Sequence, residues 1–329
     1  MHQDMMPRFE LYQPDSLEGA LELARRIGPG AWYLAGGNDS LDWFKDRNKR
    51  PAAVIDLGGI AQLSGIRQSA AGVAIGALTR LADLEHSPLL RARYPLLAQA
   101  AGRVASPQIR NSGTLGGNLC QDARCWYYRR GLSCYRAGGN TCYADTPQGM
   151  NREHALFGAS RCVAVSPSDT AVACLALDAR MVIRGITGTR VLPAEEFFVG
   201  PARDITRMTA LLPGEILAEV QLPAAWSGAE SGFEKVADRA SWDFALASVA
   251  AALFVEDGVI RRARVAAGAV ECVPRRLPAV EAALIGRPRT EETAVAAGRL
   301  AAAGAQPLQF NGYMVQLLEN LVRRAVRMG

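Results

Sequence analysis

Apolar residues at helical spacing open the chain. Behind Ser16, a capping type, Leu17, Leu21, Leu23, Ala24 and Ile27 form one stripe that stops at Gly28-Pro29-Gly30, which predicts a short amphipathic helix. A strand-like run, Trp32-Tyr33-Leu34, follows and passes into Ala35-Gly36-Gly37-Asn38-Asp39-Ser40. A helical stretch to Lys45 and the β-like Ala53-Val54-Ile55-Asp56 complete a small α/β unit. The next block reads as a strand at Val73-Ala74-Ile75-Gly76, helices over 79–86 and 95–104, and a second glycine-rich segment ending in Thr114-Leu115-Gly116-Gly117-Asn118. Further on come a strand at Val163-Ala164-Val165, the turn Ser166-Pro167-Ser168-Asp169, an apolar helix to Leu177, and strands near 181–183 and 216–222.

Periodicity breaks at Pro223-Ala224-Ala225-Trp226-Ser227-Gly228, which predicts a boundary. Beyond it, 245–255 and 259–269 read as a hairpin turning on Asp257-Gly258, an Asp-Gly turn signal. The last helix, from about Asn311 to Arg327, places Met314, Leu317, Leu318 and Leu321 on one face, a packing stripe rather than a cofactor motif. The expected organisation is an α+β chain with units at 1–57, 58–225 and 226–329, and no tandem repeat. At 329 residues, cores of this size need neither a metal nor a disulfide to fold. The cysteines are therefore candidates for function.

Composition narrows the chemistry. The net charge is +5, carried almost wholly by arginine, and the basic groups Arg261, Arg262, Arg264 and Arg323, Arg324, Arg327 lack interleaved aromatics, so no nucleic-acid partner is expected. The amino-terminal residues show no apolar leader, and the longest apolar run, 244–255, is interrupted by Ser248 and too short to span a bilayer. The reading is a soluble, cytoplasmic chain with no membrane insertion, periplasmic only if exported alongside a signal-bearing partner. His86 and His154 lack a serine or carboxylate arrangement for nucleophilic catalysis and read as structural, so no catalytic residue is assigned to this chain.

The thiols carry the strongest signal. Five of the seven cysteines fall in one stretch, spaced C-x4-C-x8-C-x7-C-x19-C from Cys120 through Cys125, Cys134 and Cys142 to Cys162. The tight C-x2-4-C knuckles usual for structural zinc are absent and histidine is scarce, which favours an iron–sulfur cluster, with zinc or disulfides as the alternatives. Cys174 and Cys272 read as buried or distant bystanders. Arg124, Arg129, Arg130, Arg136 and Arg161 flank the cluster candidates, where they can neutralise an anionic centre or face an acidic electron carrier. The two glycine segments can together cradle a diphosphate, since glycine allows close backbone approach and Asn38, Thr114 and Asn118 can hydrogen-bond oxygen. Neither is a Rossmann or P-loop pattern.

With these words in place, nearly the whole chain resembles the FAD-binding medium subunit of the xanthine dehydrogenase and carbon monoxide dehydrogenase family of molybdenum hydroxylases. Leu34 to Asp39 looks like the family's first FAD loop, with Asn38 where the family usually has threonine. Ile75-Gly76-Ala77 is similar to its next strand, the run from Ile109 through Asn111 to Asn118 to its second loop, and Pro167-Ser168-Asp169 to its ribityl-contacting turn. Leu212 to Glu215 and 233–244 are similar to its domain junction and flavin-facing carboxy-terminal stretch. The resemblance implies a two-subdomain FAD-binding fold of the vanillyl-alcohol oxidase/PCMH type with an iron–sulfur loop insertion at about 120–162, plus a smaller α+β domain of the CO dehydrogenase flavoprotein C-terminal type. It implies FAD held by Leu34, Ala35, Gly36, Gly37, Asn38, Asp39, Ser40, Ile109, Asn111, Thr114, Gly116, Gly117, Asn118 and Asp169, with Lys235 a cation near the flavin.

The cysteine insertion resembles the branch containing the β subunit of 4-hydroxybenzoyl-CoA reductase and the FAD subunits of bacterial aldehyde oxidoreductases. There it implies a 4Fe-4S cluster on Cys125, Cys134, Cys142 and Cys162, with Cys120 belonging to the FAD loop. The expected role is an electron-transfer subunit of an oxidoreductase heterotrimer. A molybdopterin-binding large subunit and a 2Fe-2S small subunit are its partners, and ferredoxin or another one-electron carrier meets Arg129, Arg130 and Arg136. The substrate is left between an aldehyde, a purine or other N-heterocycle, and an aromatic acyl-CoA. The alternative is a stand-alone FAD oxidase or NAD-linked dehydrogenase with structural zinc.

Overall fold

The structure is a computed structural model that describes residues 6–327; residues 1–5, part of the amino-terminal stretch read for a leader, and 328–329 lie outside the described residues. Strands β1 (Glu10–Tyr12), β2 (Ala31–Leu34) and β3 (Ala53–Asp56) form a parallel sheet in the order β1-β3-β2. The predicted helix, Leu17–Ile27, makes the crossover between β1 and β2 and buries Leu17, Ala20, Leu21 and Ala24. Ser16 has the extended backbone of an N-cap, although its side chain makes no cap bond, and Gly28 ends the helix at φ 73°.

Five antiparallel strands build the middle of the chain: β4 (Ile66–Ser69), β5 (Gly72–Gly76), β6 (Arg180–Gly185), β7 (Gly188–Pro193) and β8 (Ile216–Pro223), in the order β4-β5-β8-β6-β7. Most of the helices lie between β5 and β6, together with the whole cysteine-rich stretch. Two expectations change here. Val163-Ala164-Val165 is not a strand; it keeps one bridge, between Val165 and Arg124, because its surroundings are tied by loop bonds such as Ala155 N–H to Val163 O (2.9 Å) and Ser166 N–H to Glu271 O (2.9 Å). The second glycine segment is not an open turn but a short helix, Leu115–Leu119, whose start is capped by the Thr114 hydroxyl accepting from Gly117 N–H at 3.1 Å.

The third sheet, β9 (Glu230–Val236), β10 (Ala247–Glu256), β11 (Val259–Gly268) and β12 (Arg275–Arg276), is antiparallel in the order β12-β11-β10-β9. The β10–β11 hairpin turns on Asp257 and Gly258, both at positive φ (51° and 74°), as a type I′ connection requires. β10 explains the long apolar run. Its Val249, Ala251 and Leu253 pack under the last helix, while Ala250 and Ala252 face the middle domain, so both faces are buried and no polar alternation remains. No helix among the described residues is long and apolar enough to cross a membrane.

The last helix, Tyr313–Arg327, buries Met314, Leu318, Leu321 and Val322 against this sheet, whereas Leu317 is only half-buried. Leu318→Ala is expected to lower the unfolding free energy by about 2–5 kcal/mol, and Leu317→Ala by distinctly less. Urea denaturation followed by circular dichroism checks this, and equal losses for the two variants would contradict the packing.

Candidate functional site

The two glycine segments meet. A side-chain carbon at Gly36 would stand 2.3 Å from the Ser112 carbonyl oxygen and 2.9 Å from Gly113 Cα, so only glycine permits this crossing. Asn38 Nδ2 donates to Ser112 Oγ at 3.1 Å, and Gly37 takes the left-handed conformation at φ 78°. Beside them Gly116 lies so close to Ala77 that a Cβ would fall 2.8 Å from that residue's own Cβ. The crossing forms one wall of a cleft of about 880 Å³. Its other walls come from Arg124 to Trp126, Thr206 to Thr209, and Trp242 to Phe244.

Of the residues expected at the flavin, Ala35, Gly36, Gly37, Asn38, Asp39, Ser40, Ile109, Thr114, Gly116, Gly117, Asn118 and Asp169 line this cleft. Leu34, Asn111 and Lys235 do not line it. Leu34 is a strand residue packed toward the cysteine-rich core, and Asn111 is exposed on the helix Pro107–Ser112. Lys235 stands behind Asp169 with its ammonium fully used, donating to Asp169 Oδ2 (2.6 Å), Arg103 O (2.9 Å) and Asp243 O (3.0 Å). It therefore meets the cleft only through the carboxylate it holds. Burial pushes the Asp169 carboxyl upward and the Lys235 charge opposes that push. Asn118 Oδ1 accepts from Ser168 Oγ (2.7 Å) and Thr170 Oγ1 (2.6 Å), so the second glycine segment is bolted to the Asp169 helix.

Behind one wall lies a second, much smaller cavity lined by Cys125, Cys134, Cys142 and Cys162 with Tyr127, Tyr128, Arg136 and Arg161. Four thiols spread over almost forty residues of sequence thus converge. Cys125 lines both cavities, whereas Cys120 lines only the large cleft, where burial pushes its thiol up to about 12. Among the described residues, no group of three or more histidine, cysteine, aspartate or glutamate side chains is arranged to hold a single metal ion. Thiolates suit iron–sulfur chemistry, and the buried guanidinium of Arg136 suits an anionic occupant.

Three expectations about this region are corrected. Cys272 is not distant: it lies beside Cys162 and accepts from Arg136 Nη2 at 3.3 Å, because the loop after β11 folds back onto the insertion. Arg136 does not face a carrier, since its side chain is fully buried. Arg129 is also engaged, pairing with Asp39 Oδ1 at 2.6 Å and stacking over Trp43 at 4.1 Å, which leaves Arg130 as the exposed member of that trio. His154 is structural as read, but it is placed beside the thiols, with Nε2 3.4 Å from Cys125 Sγ. Burial, aided by Arg124, pushes its pKa down to about 4, so the ring is neutral at pH 7. Sequence reasoning named Arg124 beside the thiols and the stretch 233–244 but missed that Arg124 stacks on Phe244 at 4.3 Å and that Trp242 stands exposed at φ 62°.

Comparison with known proteins agrees with this geometry. Residues 7–225 match the family model of the FAD binding domain in molybdopterin dehydrogenase, and 233–328 match the CO dehydrogenase flavoprotein C-terminal domain. The chain is 40% identical to the aldehyde oxidoreductase FAD-binding subunit PaoB of Escherichia coli over 81% of this chain and 82% of that one. It is 31% identical to the carbon monoxide dehydrogenase medium chain of Hydrogenophaga pseudoflava over 97% and 96%. The solved structure of that organism's carbon monoxide dehydrogenase superposes with a TM-score of 0.78, covering 98% of this chain and 97% of the other. Quinoline 2-oxidoreductase from Pseudomonas putida gives 0.76 at 26% identity, covering 98% and 96%. The α+β expectation, a FAD-binding domain followed by a flavoprotein C-terminal domain, holds, and the chain belongs to the family of FAD-binding medium subunits of the molybdenum hydroxylases.

Proposed function

We propose that this subunit carries both FAD and a 4Fe-4S cluster and relays electrons between the molybdenum and 2Fe-2S subunits of a heterotrimer and an external one-electron carrier such as ferredoxin. The observation that carries the reading is Cys125, whose side chain lines the flavin-sized cleft on one side and the four-cysteine cavity on the other. FAD accepts electrons in pairs and can release them singly, and an adjacent cluster moves them one at a time. The two cavities share a wall, so transfer between them needs no movement of the chain.

The residues divide the work. Gly36, Gly37, Asn38, Thr114, Gly117 and Asn118 form the surface for the diphosphate, and Asp169, held by Lys235, stands where a ribityl hydroxyl is expected. Cys125, Cys134, Cys142 and Cys162 are the cluster ligands, and Cys120 is not. The 40% identity to an aldehyde oxidoreductase subunit supports an aldehyde as the substrate of the complex, converted on the molybdenum partner. The three sheets support units at 1–57, 58–225 and 226–329.

Two predictions follow from the ligand and flavin assignments. Cys134→Ser and Cys162→Ser are each expected to lose most of the bound iron, while Cys120→Ser keeps it, as read by iron and acid-labile sulfide analysis of the purified proteins. Iron lost from Cys120→Ser but kept in Cys162→Ser would reverse the assignment. Gly36→Val is expected to abolish flavin retention in a chain that stays folded, because the added carbons drive the two glycine segments apart. Full flavin absorbance in that variant, with native circular dichroism, would refute the placement.

A further inference from the structure

Arg136 is an unusual residue to bury. It sits on the 3₁₀ turn Tyr135–Ala137 directly after Cys134, it lines the four-cysteine cavity, and its side chain is 0% exposed. Its guanidinium is incompletely satisfied. Nη2 donates to Cys272 Sγ at 3.3 Å, Nη1 stands 3.6 Å from Asp122 Oδ1 without a hydrogen bond, and neither Nη1 nor Nε has an acceptor. Desolvating a cation with idle donors is costly unless an anion completes it.

Asp122 does not complete it. That carboxylate is partly exposed, accepts from Tyr128 at 2.9 Å, and lies 3.9 Å from Lys49 Nζ, so its charge is shared. The nearby Arg161 is exposed and stacks on Tyr135, adding no anion. Arg136 itself lines the cavity of thiols.

Resting on the proposed cluster site, we infer that Arg136 is a positioning residue that supplies a fixed positive charge and hydrogen-bond donors to the cluster-bearing thiolates and thereby raises the cluster's reduction potential. A cluster on four thiolates is anionic and gains one further negative charge on reduction, so a buried cation stabilises the reduced form more than the oxidised one. Asp122, 3.6 Å from Nη1, carries the opposing charge. Cys272, which accepts from Nη2 at 3.3 Å, anchors one end of the guanidinium.

The test is an anaerobic redox titration of the flavin- and cluster-loaded protein, followed by electron paramagnetic resonance, in wild type, Arg136→Met and Arg136→Lys. At a fixed ambient potential, Arg136→Met is expected to show a reduced-to-oxidised cluster ratio at least tenfold lower, a midpoint shift of about 59 mV for one electron. Arg136→Lys should stay near wild type. An Arg136→Met protein with full iron and an unchanged midpoint overturns the inference while leaving the cluster assignment intact; a wild type without iron overturns the assignment beneath it. Should Arg136→Met fail to fold or load, Asp122→Asn gives the opposite reading: its ratio is expected to rise, and an unchanged or lower ratio overturns the inference.

Discussion

The contact between Asp39 and Arg129 holds the site together. Asp39 closes the first glycine segment, and its carboxylate takes both the Arg129 guanidinium at 2.6 Å and the Asp122 backbone N–H at 3.1 Å. Arg129 in turn stacks on Trp43 at 4.1 Å and donates to the carbonyls of Ala123 and Asp122. A half-exposed ion pair contributes only about 0–1 kcal/mol, and the cation–π contact adds about 0.5–2 kcal/mol. Its importance is geometric. It fixes a long, irregular insertion against the glycine turn that lines the cleft, and Asn48 reinforces it by donating to the Arg129 carbonyl at 2.6 Å. Cys125 lies between Asp122 and Arg129 in sequence, so the clamp also fixes the thiol that borders both cavities.

The carboxy-terminal sheet supports the cleft from the opposite side. Because β10 is buried on both faces, the sheet cannot tilt away from the middle domain without exposing Ala250 and Ala252. Gly268 of β11 lets the helix Asp169–Ala176 approach so closely that a Cβ there would fall 2.5 Å from Val172 Cγ2. β9 places Lys235 against Asp169 at the start of that helix. The loop after β9 returns with Trp242 and Phe244 to line the cleft, and the loop after β11 brings Cys272 to the insertion. Both cavities thus depend on all three sheets.

Much of this was legible in the sequence, and the limits have physical causes. The helix at 17–27, the β10–β11 hairpin with its Asp-Gly turn, and the last helix follow from local periodicity and turn chemistry, and local rules suffice for them. The glycine segments were legible as sites of close backbone approach, and the structure brings both to one cleft. β7 went unread because its side chains are mostly exposed and carry no apolar alternation. Val163 to Val165 misled because three buried β-formers look like a strand even when their backbone partners are loops. Long-range electrostatics were the least visible: nothing local distinguishes Arg136, which is buried against Cys272 from 136 positions away, from the exposed Arg130. Lys235 was expected beside the flavin, but no local signal shows that Asp169 and two carbonyls saturate its ammonium.

The central claim is that the cysteine insertion and the flavin cleft form one redox unit. Quantifying flavin, iron, acid-labile sulfide and zinc in the same anaerobically purified sample tests it most directly. The account predicts about four irons and about four sulfides for each FAD, with negligible zinc. A sample with full flavin and stoichiometric zinc, or with full flavin and no metal after anaerobic reconstitution with iron and sulfide, would contradict it.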